Sequence, residues 1–119
     1  RWWLTQACLP LLRGADDASV VFPIDGAAGQ GGAYWGAYGV AQSALATLVG
    51  TLHAELANSP VRVAGLAPGP MRTTLRSKAF VEDAEPQARD AAEVASACVH
   101  LLSAAGIDRR GQVWTPSTV

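Results

Sequence analysis

The sequence has almost no net charge and no long hydrophobic run, and each shortage excludes a class of protein. Nine basic and ten acidic side chains in 119 residues leave a net charge of −1. No basic patch stands out, so we expect neither nucleic acid nor an anionic membrane as a partner. No apolar run reaches the roughly 18 residues that a membrane-spanning helix needs. Half of the residues are hydrophobic, which favours a globular protein of one small domain.

Signatures of metal binding and of secretion are also missing. Cys8 and Cys98 lie far apart, and neither they nor His53 and His100 follow the spacing of metal ligands. We expect buried thiols and a cytoplasmic location, because free cysteines persist in a reducing compartment. The two histidines are interpreted as surface, interface or core-edge residues of helices. No signal peptide or initiator methionine opens the chain, which indicates a start inside a longer protein or a trimmed terminus.

Hydrophobic patterning predicts helices that alternate with strands. A helix over 2–12 is apolar nearly all round, so we expect it to be buried on several sides. A short helix is predicted after residue 71, and the polar segment 81–87 is predicted to be exposed. The longer elements are predicted strands at 19–24, 61–67 and 111–116 and helices at 35–58 and 90–106. This alternation is typical of an α/β fold of the Rossmann-like class, a parallel sheet between two layers of helices.

Two motifs stand where predicted strands end. The first strand leads into a glycine-rich loop, 25–33, and then into the long helix with Tyr38 near its start. Gln42 follows one turn later on the same helix face, since residues four apart are neighbours on a helix. The second strand ends in APGPMRTT, in which a Pro68–Gly69 turn precedes Thr73. The loop glycines do not form the G-x-G-x-x-G fingerprint of a dinucleotide phosphate site.

Taken in order, these features resemble the C-terminal half of a short-chain dehydrogenase/reductase, over nearly the whole chain. The resemblance implies that residues 1–119 form the C-terminal part of one Rossmann domain whose N-terminal dinucleotide-binding half is absent. In that family a serine, a tyrosine and a lysine act with NAD or NADP to interconvert a carbonyl and an alcohol. The family also forms dimers through two helices that match 2–12 and 35–58, which implies a homo-oligomer.

Carried over residue by residue, the resemblance assigns six positions. Tyr38 falls at the catalytic tyrosine, Gln42 at the lysine and Asp25 at the serine. Tyr38 and Gln42 would also face the cofactor ribose, and the nicotinamide side would comprise Pro68, Gly69 and Thr73. A free tyrosine has a pKa near 10, which a lysine lowers by attraction and an ionised aspartate raises. Gln42 is neutral, so both replacements oppose the family's proton transfer and predict little activity of the chain alone.

Two functions remain open on the sequence. The chain is the C-terminal portion of an NAD(P)-dependent oxidoreductase for a small carbonyl or alcohol substrate, or it is a pseudoenzyme or truncated paralogue that acts as a dimerisation and interaction module. Arg72 and Arg76 would meet a cofactor phosphate or be solvated. We interpret the four tryptophans as core or interface residues, namely Trp2, Trp3, Trp35 and Trp114.

Overall fold

Helices and strands alternate along the chain, as the hydrophobic pattern predicts. The computed structural model describes residues 1–80 and 86–119. Its α-helices are α1 (Trp2–Arg13), α2 (Gly36–Glu55), α3 (Thr74–Ala79) and α4 (Ala91–Leu102). Its strands are β1 (Ala18–Pro23), β2 (Val61–Leu66), β3 (Met71–Arg72), β4 (Arg89–Asp90) and β5 (Val113–Trp114). Short 3₁₀ helices cover Ala28–Gln30 and Ala104–Arg109.

β2 is the central strand of a three-stranded parallel sheet with the order β1-β2-β5. The register of β1 and β2 runs from Ala18 opposite Val61 to Pro23 opposite Leu66. Both strands are rich in valine and other apolar residues because a parallel sheet is covered on its two faces. Since the strands run in the same direction, the residues that follow β1 and β2 emerge at one edge of the sheet. This edge carries both sequence motifs.

Helices cover both faces of the sheet, which gives the three layers that the sequence predicts. One core cluster lies under α1 and α2 and includes Phe22, Val49, Leu52, Leu56 and Val63. The other lies under α4 and includes Ala64, Leu66, Val94, Ala97 and Leu101. Alternate side chains of a strand point to opposite faces, so β2 contributes to both clusters. No helix in the described part of the chain is long and apolar enough to cross a membrane.

α1 is far more exposed than its sequence predicts. Thr5 is its one buried residue, while Trp3, Leu4 and Leu11 are 79%, 69% and 77% exposed. Only Leu9 and Leu12 of this helix pack against the first core cluster as partly buried side chains. A helix that rests on one sheet can bury only one stripe of side chains. The prediction that α1 is buried on several sides is therefore wrong for the single chain.

The end of α4 and the burial of the two cysteines also differ from the predictions. α4 ends at Leu102 instead of reaching Gly106, because the backbone turns into a 3₁₀ helix after Ser103. A Cβ at Gly106 would lie 2.8 Å from the carbonyl oxygen of His100, so the glycine lets this turn fold back on α4. Cys8 and Cys98 are free but only half-buried. Residues 81–85 of the predicted polar segment lie outside the described residues.

Candidate active site

The candidate active site lies where β1 ends and α2 begins. After β1 the chain passes through Asp25 into the 3₁₀ helix Ala28–Gln30, which packs against the start of α2. Gly39 permits this close approach, because a Cβ there would lie 2.8 Å from the carbonyl oxygen of Ala28. The contact brings the loop beside the two first turns of α2, which carry Tyr38 and Gln42.

Asp25 accepts a hydrogen bond on each of its carboxylate oxygens. Oδ1 accepts from the backbone N–H of Ala28 at 3.1 Å, which ties down the start of the 3₁₀ helix. Oδ2 accepts from the hydroxyl of Tyr38 at 3.3 Å. Within residues 1–80 and 86–119, no basic side chain forms an ion pair with Asp25. The half-buried carboxylate is thus held by neutral donors alone.

Gln42 is part of the same cluster, but it faces the loop. The residue is only 6% exposed, and its Oε1 accepts the backbone N–H of Asp25 at 2.9 Å. In the part of the chain that the structure describes, its amide nitrogen has no hydrogen-bond partner. Gln42 therefore positions Asp25, and one of the two lone pairs of its amide oxygen is already used within the chain.

The pKa of Tyr38 lies above its ordinary value of 10.0. Burial of the phenol is the largest cause, followed by the negative charge of Asp25 and the hydrogen bond to it, while the Arg1 guanidinium acts in the opposite direction. The direction is the one that the sequence predicts for a tyrosine beside Asp25 and without a neighbouring lysine. The residue as a whole is still 41% exposed.

An aromatic cluster borders Tyr38, and its composition did not follow from the sequence. The ring of Trp35 lies 5.7 Å from that of Tyr38 and 5.8 Å from that of Phe80, measured between centroids. The Arg76 guanidinium lies over the Phe80 ring at 4.7 Å. Trp35 stands one helical turn before Tyr38, which is a local signal, whereas nothing in the sequence places Phe80 near either residue.

The Pro68–Gly69 turn and Thr73 lie after the carboxyl end of β2, beside the end of β1. The backbone N–H of Ile24 donates to the carbonyl of Leu66 at 2.8 Å, which joins the two strand ends. Gly69 has a left-handed backbone (φ 74°), and the position of its missing Cβ is open space. Thr73 Oγ1 accepts the backbone N–H of Arg76 at 3.2 Å as the N-cap of α3, and among the described residues its own proton has no acceptor.

A nicotinamide cofactor fits the residues after β2 better than it fits Gln42 on α2. The open backbone at Gly69 and the hydroxyl of Thr73 suit a carboxamide or a phosphate, since ligands of open α/β sheets bind outside the carboxyl ends of the strands. Gln42, at the lysine position, fits poorly, because its side chain is neutral, buried and already bonded to the backbone of Asp25. Arg72 forms an ion pair with Asp90 at 2.9 Å and donates to the carbonyl of Ala88, so it is engaged within the chain.

Comparison with known proteins relates this arrangement to one family. A family model described as short chain dehydrogenase matches residues 2–84. The uncharacterised oxidoreductase YciK of Escherichia coli K12 is 39% identical over 84 residues, which are 71% of this chain and 32% of that protein. The chain therefore spans about a third of this curated relative.

Solved structures of short chain dehydrogenases also superimpose on this chain. A short chain dehydrogenase from Salmonella enterica serovar Typhi superimposes with a TM-score of 0.88 at 30% identity, over 97% of this chain and 47% of that one. A short chain dehydrogenase from Shigella flexneri, complexed with NADP, superimposes with a TM-score of 0.88 at 29% identity, over 98% and 48% of the two chains. The chain thus spans about half the length of these solved structures.

Proposed function

The chain belongs to the short-chain dehydrogenase family, and on that premise we propose that it supplies the C-terminal half of an NAD(P)-dependent oxidoreductase. One observation carries the proposal. The Tyr38 phenol, the Asp25 carboxylate and the Pro68–Gly69 turn emerge at one edge of the sheet, beyond the carboxyl ends of β1 and β2. Edges of this kind are where open α/β sheets bind cofactors and substrates.

Tyr38 is the proposed acid and base of the site, acting on a small carbonyl or alcohol substrate. The residue is partly exposed, and its hydroxyl would exchange a proton with the substrate oxygen. At neutral pH about one free tyrosine in a thousand is ionised, and the raised pKa of Tyr38 makes that fraction smaller still. Asp25 and Gln42, which occupy the serine and lysine positions, do not compensate. We therefore expect slow carbonyl chemistry, and little from the isolated chain.

The cofactor would be held mainly at the end of β2. The backbone at Pro68 and Gly69 and the hydroxyl of Thr73 would contact the nicotinamide, which supplies or accepts the hydride when bound. Tyr38 and the amide nitrogen of Gln42 would face the ribose. The NADP in the Shigella structure supports the cofactor class, and either NAD or NADP suits these residues.

We expect the isolated chain to bind NADH and NADPH only in the millimolar range, because a few backbone and hydroxyl contacts provide about 4 kcal/mol. Saturation-transfer NMR should show contact with the nicotinamide protons and little with the adenine protons. Thr73→Val should weaken this signal, whereas Thr47→Val on the exposed side of α2 should not. Saturation transfer to the adenine protons without transfer to the nicotinamide protons would contradict the proposed site.

A second function, that of an interaction module, is supported by the exposed apolar surface of the helices. Trp3, Leu4 and Leu11 of α1 and Val40 of α2 are all more than two-thirds exposed. Exposed apolar side chains of this size favour association with another chain where they form a contiguous patch. We propose that a second copy of this chain, or a related subunit, covers α1 and α2.

Sedimentation velocity should therefore show a concentration-dependent dimer of this chain. The double variant Leu4→Glu, Leu11→Glu should raise the dissociation constant of the dimer at least tenfold, because burying two carboxylates in the interface is strongly unfavourable. Val99→Glu is the matched control, since Val99 is 65% exposed on α4, on the opposite face of the sheet. A wild-type chain that stays monomeric at high concentration would overturn association with a second copy and leave a related subunit as the partner to be tested by mixing the two chains.

A cytoplasmic location also stays a proposal. It is supported by the two free, half-buried cysteines, which are typical of proteins from a reducing compartment. The near-zero net charge of −1 supports a small molecule, and not a nucleic acid, as the ligand of this site.

A further inference from the structure

We propose that the Asp25–Tyr38 pair binds a protonated nitrogen, so that the preferred substrate of this site carries a cationic carbon–nitrogen double bond. The inference rests on the proposed function, because it names the substrate class of the same site. It starts from the two residues that distinguish this chain from the family pattern described above. One removes a positive charge at position 42, and the other adds a negative charge at position 25.

The carboxylate of Asp25 has unused capacity for donors. A carboxylate accepts about four hydrogen bonds, and this one receives two, from the Ala28 backbone and the Tyr38 hydroxyl. A neutral carbonyl oxygen is itself an acceptor, so it gains nothing from this carboxylate. A protonated nitrogen is a cationic donor, and its hydrogen bond to a carboxylate is about twice as strong as a neutral one.

The neighbouring rings also suit a cation. The faces of Trp, Phe and Tyr attract positive groups within about 6 Å. The ring linked to Asp25 is that of Tyr38, and the ring of Trp35 lies 5.7 Å from it. The same cluster already holds one cation, since the Arg76 guanidinium lies over Phe80. A flat, conjugated cation would gain contact with this aromatic surface as well as with Asp25.

Arg1 is the charged group that faces the pair from the side of α1. Its positive charge lowers the pKa of Tyr38, against the larger effects of burial and Asp25. The guanidinium donates to the carbonyl of Pro23 at 3.2 Å and does not form an ion pair with Asp25. Arg1 therefore weakens the negative field of the pair without neutralising the carboxylate by direct contact.

The charge arrangement suits the redox chemistry of such a substrate. A reduced nicotinamide would supply the hydride and an iminium carbon would accept it, while the C=N π electrons would move to nitrogen, leaving a neutral amine and the oxidised cofactor. The nitrogen already carries its proton, so Tyr38 need not release one during this step. A carbonyl substrate would instead develop negative charge on oxygen beside Asp25, which the carboxylate opposes.

The test compares two flat probes of nearly the same shape, the benzamidinium ion and neutral benzamide. Backbone NMR of the 119-residue chain should show shifts at Asp25, Ala28 and Tyr38 with benzamidinium, at an affinity at least tenfold higher than that for benzamide. Asp25→Asn should abolish this preference while it keeps the fold, because an asparagine oxygen can still accept the Ala28 N–H. Asp16→Asn, before the opposite end of β1, should leave the preference unchanged.

Equal affinities for the two probes, or no binding of benzamidinium, would overturn the inference. So would a preference that survives Asp25→Asn. If this test fails while the nicotinamide signal of the cofactor titration persists, only the substrate class is wrong. Loss of both signals would overturn the proposed function itself.

Discussion

Replacing Asp25 by Ser and Gln42 by Lys together should lower the pKa of Tyr38 and increase the tyrosinate fraction at a given pH by about tenfold or more. The first change removes the carboxylate that accepts the Tyr38 hydroxyl and repels the phenolate. The second places a cation one helical turn away, where attraction favours the phenolate. The double variant restores the charge pattern that the family resemblance implies for the proton-transfer group.

Ultraviolet absorbance during a pH titration measures this effect directly. The chain has two tyrosines, and Tyr34 is fully exposed, so Tyr34→Phe leaves Tyr38 as the single titrating phenol. In that background, Asp25→Ser alone and Gln42→Lys alone separate the loss of a negative charge from the gain of a positive one. A Tyr38 titration that does not respond to Asp25→Ser would show that the carboxylate does not act on the phenol.

Gln42→Glu is the matched control for the lysine variant. A glutamate oxygen can still accept the backbone N–H of Asp25, as Gln42 Oε1 does at 2.9 Å. It adds negative charge, so the pKa of Tyr38 should rise, opposite to the effect of lysine. Gln42→Lys on its own loses that acceptor and places an ammonium at a position 6% exposed, so thermal unfolding should be followed in parallel.

Gly39→Ala should destabilise the chain by about 2 kcal/mol, whereas Gly50→Ala on the same helix should stabilise it by up to about 1 kcal/mol. Both changes improve the helix propensity of α2 equally. They differ in the room available for a methyl group. A Cβ at Gly39 would lie 2.8 Å from the Ala28 carbonyl oxygen, whereas nothing lies within 4 Å of a Cβ at Gly50. Only the first change forces α2 and the 3₁₀ helix apart.

Urea unfolding followed by circular dichroism gives the two free energies of unfolding. The phenol titration supplies a second measurement, since displacement of the loop from α2 should move Asp25 away from Tyr38. The pKa of Tyr38 should then fall toward its ordinary value in Gly39→Ala and stay unchanged in Gly50→Ala. Effects of the same sign on stability in both variants would contradict the close packing at Gly39.

These predictions show which parts of the site are local and which are not. Tyr38 and Gln42 are one helical turn apart, so the sequence alone places them together. The hydrogen bond from the Asp25 backbone to Gln42 joins residues 17 apart, and it depends on how the loop packs on α2. The sequence predicts that Gln42 faces the cofactor ribose, and the structure adds that its amide oxygen accepts the backbone N–H of Asp25.

Prediction from the sequence was most accurate where a local pattern determines the structure. The apolar strands, the long helix and their alternation follow from periodicity and strand composition, which act over a few residues. They sufficed to predict the three layers and the parallel sheet. The short parallel pair of β3 and β4 was not predicted, because the pairing of two-residue strands depends on residues that are distant in the sequence.

The sequence by itself determined the family, the order of elements and the two motifs at the carboxyl edge of the sheet. Only the tertiary structure decided that α1 leaves Trp3 and Leu11 exposed and that Phe80 reaches Trp35. The tertiary structure also decided that Asp25 accepts both the Tyr38 hydroxyl and the Ala28 N–H. The physical reason is the same in each case. Burial and hydrogen bonding between distant residues depend on the packing of whole elements, which no local pattern specifies.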